Sequence, residues 1–272
     1  MSARRVFITG GGAGLGREFA RQLAASGAKV CISDIDAVAG VATAKEIGGH
    51  FIKCDVRSET DLQAAARWMK AEWGGVDLLI NNAGVAQMGT LTATPVGDWQ
   101  WIVEINLLGT VRGCKTFAPL LAETQGTIMN IASMASFLNL PGAGAYNATK
   151  AAVLALSETL MLELEQDGIT THVACPSFFR TGLAQNMRAG DDKARAMTER
   201  LVERSRTNPA DVAAAILDGM ERGEPRIFID KRTRKALRMK NWLPFSRYLG
   251  GLRKEVAKLD ARMARVMKGQ ST

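Results

Sequence analysis

Histidine is scarce: His50 and His172 are the only two in 272 residues. That excludes a His-rich metal centre and gives a Ser-His-Asp triad poor support, and no GxSxG elbow is present. No metal site is expected. The four cysteines, Cys31, Cys54, Cys114 and Cys175, lie far apart without a CxxC. They read as reduced core thiols of an intracellular protein. No run of about 18 uninterrupted apolar residues occurs, so no membrane-spanning helix is expected. The start, MSARRVFITG, has no long apolar stretch and no cleavage-site pattern, which points away from secretion and toward a cytoplasmic location. Tyrosine is also sparse, with two in the chain.

Charge is present but unevenly spread. The net charge of +8 conceals a tail, residues 231–272, with 13 Lys/Arg against 2 acids. The other 230 residues carry 22 basic and 25 acidic groups. A mildly acidic body therefore carries a basic extension.

Short apolar runs alternate with helical patterns over residues 1–230. Val6–Thr9, Lys29–Ser33, Phe51–Lys53, Leu78–Asn81, Thr127–Ala132, Thr170–Ala174 and Ile227–Ile229 read as strands. Consecutive apolar positions indicate strands covered on both faces. Helices are expected at about 15–26, 37–47, 59–73, 97–122, 146–167 and 209–222. The alternation predicts an α/β fold with a doubly wound parallel sheet of about seven strands. The polar, Met-bearing stretch 182–206 interrupts it. It reads either as a lid outside the carboxyl ends of the strands or as an ordinary surface helix pair.

The first strand runs into Thr9-Gly10-Gly11-Gly12-Ala13-Gly14-Leu15-Gly16, and a helix follows. Such a turn lets the backbone of Gly10, Gly12, Gly14, Leu15 and Gly16 approach a pyrophosphate, with free helix N–H groups behind it. Strand two ends at Asp34, 18 residues past Gly16, where an acid can accept from adenosine ribose hydroxyls and repel a 2′-phosphate. The duller reading of Asp34 is a helix N-cap. Ile35 and Ala13 are not basic, which favours NAD over NADP, although Arg17 is nearby.

These residues, with others downstream, resemble the short-chain dehydrogenase/reductase family over roughly residues 4–230. Thr9–Gly16 is similar to its TGxxxGxG, Asp55-Val56 to its adenine-holding pair, Asn81-Asn82-Ala83-Gly84 to its NNAG and Asn106–Gly109 to its NxxG. Ser133, Tyr146 thirteen residues later and Lys150 match its Ser and YxxxK. Pro176 to Thr181 resembles its PGxxxT, with Ser177 where the family usually has Gly. The resemblance implies a Rossmann-type sheet, with Asp55, Val56, Asn82, Ala83, Gly84, Tyr146, Lys150, Pro176 and Thr181 joining the glycine turn and Asp34 in holding the cofactor. It also implies catalysis by Asn106, Ser133, Tyr146 and Lys150, Asn106 holding a water in a proton path to Lys150. Homodimers or homotetramers through the helices 97–122 and 146–167 are implied as well.

The chemistry is consistent with these residues. Tyr146 and Lys150 are an i,i+4 pair on one helix face. A tyrosine with a pKa of about 10 needs a nearby ammonium to act as a base near neutrality. Tyr146 can then exchange a proton with a substrate hydroxyl while hydride passes to the cofactor. Ser133 ends a strand and is placed to hydrogen-bond the substrate oxygen; Ser136 is the alternative. Taken singly, Ser133 and Asn106 read as a strand-end hydroxyl and a structural amide.

Met88, Phe137, Leu138, Ala143, Phe178 and Phe179 make an apolar neighbourhood, which suits a lipophilic alcohol or ketone unless these residues are core. Arg180 and Arg188 are the cations available for a substrate carboxylate.

In the tail, Leu249, Leu252, Val256, Leu259, Met263 and Val266 recur at helical spacing with basic residues opposite. Trp242-Leu243-Pro244-Phe245 lies upstream. Three readings stand: peripheral contact with an anionic membrane surface, a heptad seam with a partner subunit, and packing on its own domain. Nucleic-acid binding is not expected, because no base-reading motif accompanies the charge. The leading functional expectation is an NAD-preferring oxidoreductase of a hydrophobic secondary alcohol or its ketone. The alternative is an NAD(H)-binding scaffold or sensor recruited by the tail. A methyltransferase fits the first strand and turn but not the YxxxK helix.

Overall fold

A computed structural model of the chain describes residues 3–177, 179, 187–190 and 207–267. Its centre is an all-parallel, seven-stranded sheet. The strands are β1 (Arg5–Thr9), β2 (Lys29–Asp34), β3 (His50–Lys53), β4 (Leu78–Asn81), β6 (Thr127–Ile131), β7 (Thr170–Ala174) and β9 (Arg226–Ile227), in spatial order β3-β2-β1-β4-β6-β7-β9. Two short strands, β5 (Gln87–Met88) and β8 (Arg188–Ala189), pair separately in parallel.

The helices are α1 (Gly14–Ala25), α2 (Ala37–Ile47), α3 (Glu59–Trp73), α4 (Val96–Ile102), α5 (Gly109–Ala122), α6 (Gly144–Glu163), α7 (Pro209–Glu221), α8 (Lys231–Trp242) and α9 (Phe245–Met267). Local chemistry fixes their ends. Asp36 caps α2 by accepting from Val38 N and Ala39 N, and Ser58 caps α3 by accepting from Asp61 N. Gly48 and Gly74 close the same two helices in the left-handed conformation.

Side chains alternate across the sheet. Val6, Ile8, Val30, Ile32 and Ile80 pack with α1 and α7 on one face. Phe7, Cys31, Leu79 and Ile128 pack with α3 and α5 on the other. All four cysteines are buried, and burial pushes the thiols of Cys54, Cys114 and Cys175 up to about 12. They are neutral core residues rather than nucleophiles.

The expected helix 97–122 differs from what forms. Between α4 and α5 the backbone takes a π-helical course over Val103–Leu108, a distortion that is common at functional positions. It carries Asn106, whose side chain is spent on Val85: Oδ1 accepts from Val85 N at 2.8 Å and Nδ2 donates to Val85 O at 3.0 Å. The tail forms two helices. Leu243, ahead of Pro244, is extended (φ −89, ψ 146) and ends α8. Among the described residues no helix is long and apolar enough to cross a membrane.

Candidate active site

The strand order reverses between β1 and β4, so a crevice opens at their carboxyl ends. Asn82 binds its two sides together. Its Nδ2 donates to Thr9 O at 3.0 Å and to Gly10 O at 2.9 Å. The Thr9 hydroxyl accepts from Asn82 N and Ala83 N, both at 3.1 Å.

The glycine turn is tightly enclosed on one side and open on the other. A Cβ on Gly16 would lie 2.1 Å from Gly10 O, whereas one on Gly14 (φ +54) would meet nothing within 4 Å. Leu15 is buried in the core beneath. Ala13 leads α1 without a side-chain cap, and the first turn has no acid. Uncapped N–H groups, a positive dipole end and an open approach fit the pyrophosphate of a dinucleotide.

Asp34 borders this turn. Its Oδ2 accepts from Gly12 N at 2.9 Å and its Oδ1 from Asp36 N at 3.0 Å. The cap of α2 is Asp36, so the N-cap reading of Asp34 does not hold. Arg17 Nε is buried without a hydrogen-bond partner among the described residues. Asp55 is engaged by Arg57, whose Nε lies 3.0 Å from Oδ1, and this guanidinium holds the carboxyl below its usual range. Sequence reasoning did not anticipate that partner. Val56 packs under Gly109, where a Cβ would come within 2.9 Å of it.

Ser133, Tyr146, Lys150 and Asn106 come together at the floor of the crevice. Ser133 follows β6 and leads a 3-10 turn, its hydroxyl accepting from Ala135 N at 3.1 Å. The same hydroxyl acts on Tyr146, opposing the rise that burial gives the phenol. Ser136 is buried and donates to Lys150 O at 2.8 Å, so its hydroxyl is committed to the helix backbone. Lys150 is buried, its Nζ donating to Ile131 O at 2.8 Å. A Cβ on Gly84 would sit 3.3 Å from Asn106 Oδ1 and 3.5 Å from Lys150 Nζ, so the glycine leaves that corner clear.

The electrostatics depart from the expected lowering of the tyrosine. Burial raises Tyr146 above its usual value, and the Ser133 hydroxyl opposes it. Burial also drives Lys150 down to about 8. The ammonium is tied to Ile131 O and lies 5.9 Å from the tyrosine ring centroid, so it does not reverse the tyrosine's shift.

The substrate side also needs correction. Phe137 is buried edge-on against Phe228, with centroids 5.9 Å apart, and Phe179 packs on the main core. Phe137 is core rather than wall, and Phe179 is half-buried against the core. Arg188 pairs with Asp98 at 2.8 Å and stacks over Trp101 at 4.2 Å, so it anchors β8 and is not a free cation. Met88, Leu138 and Ala143 remain near the crevice as partly or fully buried residues. Pro176 is buried, and its carbonyl accepts from Met134 N at 2.8 Å. Phe178, Arg180, Thr181 and nearly all of 182–206 lie outside the described residues.

Three supporting residues escaped sequence reasoning. Thr149 accepts from Asn106 Nδ2 at 3.3 Å and donates to Tyr146 O at 3.0 Å. Asn130 links Asn81 (2.9 Å) to Ser157 (3.0 Å) under the floor. An asparagine in an otherwise apolar buried strand was a usable signal; a mid-helix threonine was not. Among the described residues, no group of three or more His, Cys, Asp or Glu is placed to hold a metal.

Comparison with known proteins agrees with this fold. The family described as short chain dehydrogenase matches residues 4–192. The probable oxidoreductase EphD of Mycobacterium tuberculosis is 37% identical over 185 residues, which is 65% of this chain but 31% of that protein. The chain thus spans about a third of that relative's length. The 2-(R)-hydroxypropyl-CoM dehydrogenase of Xanthobacter autotrophicus is 31% identical over 193 residues, 67% of this chain and 77% of that protein. A short-chain dehydrogenase/reductase from Burkholderia phymatum, solved in complex with NAD, superposes with a TM-score of 0.83 at 29% identity, covering 88% of this chain and 93% of its own. The chain belongs to the short-chain dehydrogenase/reductase family.

Proposed function

We propose that the chain transfers hydride between NAD(H), preferred over NADP(H), and a hydrophobic secondary alcohol or its ketone. The observation that carries this reading is the grouping of half-buried Ser133 and Tyr146 with buried Lys150, in a crevice that also holds the uncapped N-terminus of α1. A bound nicotinamide supplies the hydride acceptor or donor. The glycine turn and the first turn of α1 would hold its pyrophosphate, Asp34 its adenosine ribose and Lys150 its nicotinamide ribose. Ser133 Oγ orients the substrate oxygen. In the oxidative direction Tyr146 Oη takes the hydroxyl proton, and Lys150 stabilises the phenolate once the cofactor's positive charge is beside it. The protein acts as a homodimer or homotetramer through α5 and α6, where Leu162 stands 76% exposed.

A panel of secondary alcohols from short aliphatic to steroid, run with NAD and NADP side by side, tests the reading through reduced-cofactor absorbance. Turnover with NAD on bulky apolar alcohols supports it. Tight NADH binding with no turnover on any member supports the sensor alternative.

Two further results are expected. Asp34→Ser removes the carboxylate that would oppose a 2′-phosphate and should shift the NAD/NADP ratio of kcat/KM toward NADP by about tenfold or more, an effect of one charge pair at close range. An unchanged ratio would remove Asp34 from cofactor selection. The second concerns pH. Lys150 donates to ribose most strongly as the ammonium, and burial lowers it to about 8 in the free protein. Below that pH the ammonium is already present and NADH affinity should be flat. Above it binding must take up a proton, so Kd should rise up to about tenfold per pH unit. Fluorescence titration of NADH reads this directly, and Lys150→Met should abolish the dependence.

A further inference from the structure

The helix α8 has two unlike faces. Thr233, fully buried, bonds Asp230 at 2.8 Å and reaches Met134 Sδ at 3.5 Å. Leu237 packs on the cluster containing Phe137 and Val153. Lys240 Nζ donates to Phe137 O at 3.0 Å. At about 100° per residue these three share the docked side. Lys235, Arg238, Met239 and Trp242 fall within an arc of about 100° on the other side, and all four are exposed, Trp242 at 87%. After the Leu243-Pro244 break, Phe245 is 65% exposed and Arg247 is exposed beside it. Among the described residues, Lys235, Arg238 and Arg247 have no carboxylate partner.

A tryptophan and a phenylalanine at one exposed turn, ringed by cations with no carboxylate partner among the described residues, call for a cover that is apolar in depth and negative at its rim. A second copy fits poorly, because a two-fold contact would set the same cations against themselves. An anionic lipid surface fits both features. The turn is also tied to the site. Lys240 and Tyr248, on either side of it, both donate to Phe137 O, at 3.0 and 3.4 Å, and Phe137 lies four residues past Ser133.

We propose that the α8–α9 turn docks on an anionic membrane surface. Trp242 and Phe245 enter the headgroup–acyl boundary while Lys235, Arg238 and Arg247 face lipid phosphates. The segment after Ser133 then lies at the membrane, and the lipophilic substrate comes from the bilayer. This last clause rests on the oxidoreductase reading above; the docking does not.

Flotation of the full chain tests it, with vesicles of equal parts phosphatidylcholine and phosphatidylglycerol against phosphatidylcholine alone. The chain is expected to float with the anionic vesicles at low salt and to be released as salt rises. Trp242→Ala/Phe245→Ala should lower the bound fraction about tenfold, as two lost apolar insertions imply. Lys235→Glu/Arg238→Glu should do likewise. NADH binding by both variants should match the unsubstituted chain, which shows that they fold. Absence of flotation on anionic vesicles, or variants that float as well as the parent, would overturn the docking. So would a dimer that becomes a monomer in sedimentation of Trp242→Ala/Phe245→Ala without lipid, since the face would then belong to a second copy. Flotation with no turnover on the alcohol panel would retain the docking and remove only the substrate clause. Turnover of a long-chain secondary alcohol that rises with anionic vesicles for the parent, and not for the variants, would support that clause.

Discussion

Tyr146→Phe is expected to cut turnover by about 10² to 10⁴-fold, the range that one positioned acid/base supplies. The ring stays, and with it the packing on α6; only the hydroxyl that meets Ser133 is removed. Lys150 keeps its bond to Ile131 O, and Asn106 keeps both bonds to Val85. NADH affinity should therefore change little, so the loss should appear in kcat. A variant that loses cofactor binding in parallel would assign Tyr146 a structural role. Burial holds the tyrosine above its usual value in the free protein, and the positive charge of a bound oxidised cofactor would favour its ionised form. The pH profile of kcat should therefore report a lower apparent pKa than titration of the cofactor-free tyrosine.

Gly16→Ala should have the largest effect on stability. The new methyl would meet Gly10 O at 2.1 Å and Asn82 Nδ2 at 2.6 Å. The first is backbone and cannot swing aside. The second is the atom that joins β4 to the glycine turn. Relief requires α1 to move or Asn82 to release its two carbonyls. Overpacking and lost buried hydrogen bonds together cost about 3 kcal/mol. Thermal unfolding measures this, and dinucleotide affinity should fall with it. Gly250→Ala is the contrast. It lies in α9 with nothing within 4 Å of the added methyl. There the better helix propensity of alanine should be neutral or stabilising by up to about 1 kcal/mol.

The sheet was legible because its strands are covered on both faces. Val6, Ile8, Leu78 and Ile80 leave no other reading, and each strand end came within two residues of the structure. The glycine turn was legible for a steric reason that Gly16 makes plain. The π-helical course at Asn106 was not, and neither was the exchange of that side chain with the backbone of Val85, a long-range contact that no local pattern encodes. Phe137 and Phe179 looked like pocket wall because apolar residues near a reactive serine read the same whether they face a ligand or the core. The pairing of Arg188 with Asp98, ninety residues away, was invisible for the same reason. In the tail, helicity was readable from spacing. The docked side, fixed by Thr233, Lys240 and Tyr248 on the segment after Ser133, was not, because it is set by one backbone carbonyl and one sulfur.

The most direct test of the central claim is deuteride transfer. The chain would be incubated with NADH carrying deuterium at both C4 positions of the nicotinamide and a panel of lipophilic ketones, and the products analysed by mass spectrometry. The account predicts deuterium on the carbinol carbon of at least one bulky apolar product, and none with Tyr146→Phe. No carbinol product and an intact cofactor across the whole panel, despite tight NADH binding, would contradict it.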